Sequence, residues 1–119
     1  MEGGQTNEFR PLILVAEDDD SNFKLIKAII GKKCDIQWAK NGEEIVALFK
    51  EYGKEAKAIL MDIKMPVMNG LDATKIIREE NKEIPIIMQT AYAFSSDKEN
   101  AMNAGASEVL VKPITLSIL

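Results

Sequence analysis

The 119-residue chain contains no histidine and one cysteine. Without histidine it has no Ser/His/Asp triad, no histidine-ligated metal and no phosphohistidine of its own. A lone cysteine cannot form an internal disulfide, which points to a reducing, cytoplasmic setting. No apolar stretch approaches the roughly 18 to 20 residues of a membrane span, and MEGGQTNEFR lacks a signal-peptide core, so no membrane contact is expected. Basic residues are not in excess: fifteen Lys+Arg stand against nineteen Asp+Glu, a net charge of −4. That balance argues against nucleic acid as a direct partner. There is no G-x-x-x-x-G-K-[ST] pattern, which excludes a P-loop nucleotide site. What is present is an ordinary globular share of apolar residues, 46%, enough for one core but not two.

Those residues alternate between two periods. Residues 1–10 read as a flexible lead-in or linker, and 11–119 as the folded domain. Leu12 to Ala16 is a continuous apolar run, as in a strand buried on both faces. Leu25, Ile26, Ile29 and Ile30 share one side of a helix, with Gly31 placed for a left-handed stop. Ile36, Trp38 and Ala39 suggest a second strand, and Asn41-Gly42 a turn. A helical stripe follows at Ile45, Val46, Leu48, Phe49 and Tyr52. Ala58 to Met61 reads as a third strand. Residues 69–80 read as a helix with Leu71, Ile76 and Ile77 inward, and Ile84 to Gln89 as a fourth strand. Ser96 and Glu99 open a short helix at capping-box spacing, weakly anchored by Ala101, Met102 and Ala104. Val109 to Val111 closes the series. Strand–helix units in this order imply an α/β fold: a doubly wound, flavodoxin-like parallel sheet of five strands in the order 2-1-3-4-5.

In such a sheet, ligands sit beyond the carboxyl ends of the strands, where the strand order reverses. Glu17-Asp18-Asp19-Asp20 follows strand one, Asp62 ends strand three, Thr90-Ala91 follows strand four and Lys112-Pro113 follows strand five. Gathered carboxylates repel unless a cation relieves them, and oxygen ligands without His or Cys suit Mg²⁺. Asp19 and Asp20 lead into a helix and read as caps or solvated surface. Asp62, ending a buried strand, reads as chemistry, with Lys112 neutralising charge from the far side.

The segments LILVAEDD, ILMDIKMPVMNG, IIMQTAYA and GASEVLVKPI, in that order, resemble the receiver domain of two-component response regulators. The resemblance implies that Asp62 is the phosphoacceptor, taking a phosphoryl group from a histidine kinase or histidine phosphotransfer domain. It implies a metal set of Glu17, Asp18, Asp62 and the Lys64 backbone carbonyl, with Asp18 binding Mg²⁺ directly, Glu17 through water, and the Lys64 carbonyl completing the protein's share. Thr90, Lys112 and the backbone N–H groups of Ile63 and Ala91 would hold the phosphoryl oxygens, and Lys112-Pro113 matches a peptide bond that is cis in the family. The module would accept phosphate rather than act as a multiple-turnover enzyme, and would switch its helix-four and strand-five face. The Glu17-Asp18 pair and the DIKMPVMNG run look most like the receiver of a hybrid histidine kinase.

Three departures from the family pattern stand out. Val109 occupies the place of the switch aromatic. Lys64 and Tyr92 flank the route of an attacking water, where long side chains would slow hydrolysis of the acyl phosphate. Residues 114–119 are too few for a fifth helix, which is expected to be truncated or missing, leaving apolar surface for a dimer. Two rival readings remain. A pseudo-receiver that only binds partners would have no need of Asp18, Asp62 and Lys112 together. An aspartyl-phosphate enzyme would carry a second Asp where Lys64 stands.

Overall fold

The computed structural model describes residues 10–90 and 96–111. The lead-in up to residue 9, the Ala91–Tyr92 pair, Lys112-Pro113 and the expected truncated fifth helix lie outside the described residues. The elements run β1 (Leu12–Ala16), α1 (Asp20–Ile30), β2 (Asp35–Ala39), α2 (Gly42–Tyr52), β3 (Ala56–Asp62), α3 (Gly70–Glu80), β4 (Ile86–Thr90), α4 (Ser96–Ala104) and β5 (Glu108–Val111). All five strands pair in parallel in the order β2-β1-β3-β4-β5, as the alternation of periods implies.

Successive strand residues face opposite sides of the sheet, so each strand contributes to two cores. On β3, Ile59 and Met61 join Ile45, Phe49, Ala73 and Ile77 of α2 and α3. Leu60 instead joins Val15 and Ile26, beneath α1. Thr74 shows the division from the helix side: its hydroxyl lies 3.8 Å from the Met61 sulfur and 3.7 Å from that of Met88. The residues one further along, Asp62 and Gln89, therefore face the α1 side.

Side-chain caps start the first three helices where the strands end. Asp19, Asn41 and Asn69 accept from the backbone N–H of Ser21, Glu44 and Asp72 at 3.1, 2.8 and 2.9 Å. Each cap is worth roughly 1 kcal/mol. Asp19 is thus a cap, as read from the sequence, and Asp20 lies in the first turn, 3.7 Å from Lys40.

Several local expectations are corrected. Gly31 is right-handed, φ −64°, and closes α1 by donating to the Lys27 carbonyl. Leu25 and Met102 are exposed rather than packed, and Ile76 belongs to neither core, its place being taken by Ala73 and Thr74. β4 begins at Ile86, not Ile84, because Asn81 Oδ1 accepts the Ile84 N–H at 2.9 Å and Pro85 has no N–H to give a ladder.

Candidate functional site

Two central strands deliver carboxylates to one edge. The Glu17 N–H donates to the Ala39 carbonyl at 2.9 Å, which extends the β1–β2 pairing one residue and fixes the Glu17 backbone. The Glu17 side chain is fully buried. Its Oε2 accepts the Asp19 N–H at 3.2 Å, and its Oε1 accepts from the Asn22 side-chain amide. Asp18, next along, is exposed.

Asp62 ends β3 at 5% exposure. Two contacts fix its backbone from either side. The Ile63 N–H donates to the Gln89 carbonyl at 3.1 Å, and the Ile63 carbonyl accepts from the Gly70 N–H at 2.8 Å. A Cβ at Gly70 would stand 2.2 Å from the Asp62 carbonyl oxygen, so only glycine lets α3 start this close. The intervening loop carries a γ-turn. Val67 has φ 70°, and the Met68 N–H reaches back to the Pro66 carbonyl at 2.7 Å. A β-branched residue in that region costs about 1–3 kcal/mol and persists only when its surroundings enforce it. Here the Gly42 N–H holds the Met68 carbonyl at 2.8 Å.

Glu17, Asp18 and Asp62 come together: each offers a carboxylate oxygen, and these oxygens all lie within 4.8 Å of one another. The donor set is oxygen only, part buried and part open to solvent, which fits a hard divalent cation such as Mg²⁺ and not a zinc site. Thr90 ends β4 at 4% exposure, one residue past the Gln89 that pairs with Asp62 in register. Lys64 is exposed in the loop after Asp62. Lys112, Ala91 and Tyr92 lie outside the described residues. The Ile63 N–H, expected to face a phosphoryl group, is engaged in the sheet, so binding a phosphoryl oxygen requires that bond to be shared or exchanged.

Three contributors to the site escaped the sequence reading. Asn22 is the third residue of α1, a position whose side chain leans back toward the helix start and so over Glu17. That geometry is readable once Asp19 is taken as the cap. Trp38, read only as a strand residue, donates its indole N–H to the Glu17 carbonyl at 2.8 Å. Gln89 is fully buried beside Asp62, and neither its amide nitrogen nor its oxygen has a hydrogen-bond partner. Nothing in the sequence pattern marks it.

A doubly wound parallel sheet with three carboxylates gathered at the ends of its first and third strands, the point where strand order reverses, defines an acidic site of the α/β switch-point class. The family model of the response regulator receiver domain matches residues 13–119, and the chain belongs to that family. It is 41% identical over 115 residues to hybrid signal transduction histidine kinase I of Dictyostelium discoideum, covering 90% of this chain but 7% of that protein. The chain thus corresponds to a small segment of that relative. Among solved structures, the receiver domain of sensor histidine kinase PA1611 from Pseudomonas aeruginosa, with a magnesium ion coordinated in its active-site cleft, superposes with a TM-score of 0.83 at 31% identity, covering 92% of this chain and 90% of that one. The receiver domain of Saccharomyces cerevisiae Ssk1, solved with the histidine phosphotransfer protein Ypd1, gives 0.82 at 30% identity, covering 91% and 82%. Among the described residues, no helix is long and apolar enough to cross a membrane.

Proposed function

We propose that this receiver is a phosphoacceptor module in which Asp62 takes a phosphoryl group from the phosphohistidine of a histidine kinase or histidine phosphotransfer partner. The observation that carries the reading is a buried Asp62 at the end of the central strand, sharing an oxygen-only cluster with Glu17 and Asp18. A carboxylate oxygen of Asp62 forms a bond to phosphorus as the partner's P–N bond breaks, and the departing imidazole takes a proton from water. Thr90 donates its hydroxyl to one phosphoryl oxygen, the Lys112 ammonium pairs with another, and the Ala91 N–H, with that of Ile63 once exchanged from Gln89, holds the remainder. Glu17, Asp18, Asp62 and the Lys64 carbonyl would hold a Mg²⁺, which would supply positive charge to offset the negative charge of the transferring group.

Support for the partner comes from the Ssk1 receiver solved with a histidine phosphotransfer protein. It comes also from this surface: Val67, 74% exposed, and Leu25, 37% exposed, offer apolar contacts on the loop after Asp62 and on α1. The similarity to a hybrid kinase receiver supports residues 11–119 as one cytoplasmic domain of a larger kinase, preceded by a linker. As an acceptor it turns over only with its partner and is not itself a multiple-turnover enzyme. Lys64 and Tyr92 shield the acyl phosphate from water, so Lys64→Ala with Tyr92→Ala shortens its lifetime.

Incubation with Mg²⁺ and a small phosphodonor, followed by intact mass, tests the reading. A gain of one phosphate that is lost in Asp62→Asn supports it. No gain with any donor favours a partner-binding pseudo-receiver.

A further inference from the structure

We infer that Asn22 and Trp38 are positioning residues for the acid pair: together they hold the Glu17 carboxylate within the cluster it forms with Asp18 and Asp62. The inference rests on the proposed Mg²⁺ site and adds residues that lie outside its ligand set. A buried carboxylate next to two others has every electrostatic reason to turn away or to draw in water. Glu17 is fully buried, and its carboxylate oxygen lies within 4.8 Å of those of Asp18 and Asp62, so something must hold it there.

The restraint comes from both ends of the residue. At the carboxylate, the Asn22 amide donates to Oε1 and the Asp19 N–H to Oε2, so each oxygen is held by a group at the start of α1. At the backbone, the Trp38 indole N–H donates to the Glu17 carbonyl at 2.8 Å. Trp38 is itself fixed. Its ring stacks on Phe23 of α1 with centroids 3.9 Å apart and planes 1° from parallel. Lys40 lies 4.8 Å above its ring and 3.7 Å from Asp20. The first turn of α1 and the end of β2 are thereby joined across Glu17. Asn22 and Phe23 are consecutive, so one helical turn supplies both the carboxylate's donor and the ring that backs Trp38.

Groups that orient a metal ligand without touching the metal change its affinity by about 10- to 100-fold when removed. Asn22→Leu keeps the branched side-chain shape and deletes the donor. Trp38→Phe keeps a ring against Phe23 and deletes only the indole N–H. Calorimetric titration of the phosphate-free chain with Mg²⁺ reads affinity directly, and thermal unfolding in chelator reads the fold. The expected result is a Mg²⁺ dissociation constant raised about tenfold or more in Asn22→Leu and severalfold in Trp38→Phe, with melting in chelator lowered in neither by more than a few degrees. Dissociation constants within twofold of wild type in both variants overturn the inference. So does a loss of affinity in Asn22→Leu that is matched by global unfolding, if Trp38→Phe, still folded, binds normally. Absence of Mg²⁺ binding by the wild-type chain would instead remove the metal reading on which the inference depends.

Discussion

Asp62→Asn is predicted to make the protein more stable in the absence of divalent cation. The perturbation removes one charge from three while nearly preserving shape. Glu17 and Asp62 are both buried, at 0% and 5% exposure, and their carboxylate oxygens lie within 4.8 Å. At an effective dielectric of about 20, two like charges at that distance repel by about 3 kcal/mol. Part of this is already offset, because Glu17 accepts two protein hydrogen bonds and Asp62 makes contacts of its own. Asparagine also gives up some of the strength of those contacts. A net gain of about 1–2 kcal/mol remains, or roughly 4–8 °C in melting temperature for a domain of this size. Asp18 is exposed, so its share of the repulsion is screened and Asp18→Asn should gain less.

The assay is thermal unfolding of wild type and variant, first in chelator and then in millimolar Mg²⁺. A ligand that binds only the folded state stabilises it by mass action, and the wild type binds more tightly than a variant with one carboxylate fewer. The gap seen in chelator must therefore narrow or reverse in Mg²⁺. An Asp62→Asn variant that melts at or below wild type in chelator would refute the reasoning, since the cluster would then not be under electrostatic load. Equal gaps in the two conditions would place the load somewhere other than the cation site.

Other perturbations have equally definite signs. Gln89→Leu removes an amide that is buried without a partner and should stabilise the fold by about 1–2 kcal/mol, read as a higher urea midpoint with an unchanged slope. Gly70→Ala sets a Cβ 2.2 Å from the Asp62 carbonyl oxygen and 2.8 Å from the Met88 methyl carbon. The carbonyl cannot yield, so a loss of about 2–3 kcal/mol is expected despite alanine's better helix propensity, with slowed phosphorylation because Asp62 is displaced. Arg78 clamps α3 to the loop before β5 through the Gly105 carbonyl at 2.8 Å and the Ser107 hydroxyl at 3.2 Å. Its partial burial disfavours the charged form and lowers its pKa, so the guanidinium is held at some cost. Arg78→Met should raise amide exchange across residues 101–111 more than across β1–β3.

The sheet and its order were legible because the apolar pattern is strong where the physics is simple. Leu12 to Ala16 reads as a doubly buried strand, and β1 is one. The acidic cluster was legible for the same reason: residues at and just past a strand's end must sit at the sheet edge, so the gathering of Glu17, Asp18 and Asp62 follows from topology. What escaped was set by individual partners. β4 starts late because one asparagine side chain takes the Ile84 N–H, which no periodicity encodes. Leu25 and Met102 were misplaced because helical spacing gives a face and not what covers it. Gly31 was read as left-handed from residue type, whereas its helix closes without leaving the right-handed region.

The same loops carry stability and site, and they carry them with opposite signs. The caps at Asp19, Asn41 and Asn69 and the close approach of Gly70 to Asp62 stabilise the strand ends. The carboxylates those ends present, the positive φ at Val67 and the unpartnered Gln89 amide all destabilise them. If the destabilising features were only imperfect packing, relieving each would leave cation binding untouched. If instead the cluster is held together for a cation, relieving the charge must cost affinity while relieving Gln89 need not. Asp62→Asn and Gln89→Leu, two stabilising changes at neighbouring register positions, therefore separate electrostatic load kept for binding from load that is merely tolerated. Calorimetry with Mg²⁺ on the pair decides between them: affinity should fall in the first and hold in the second.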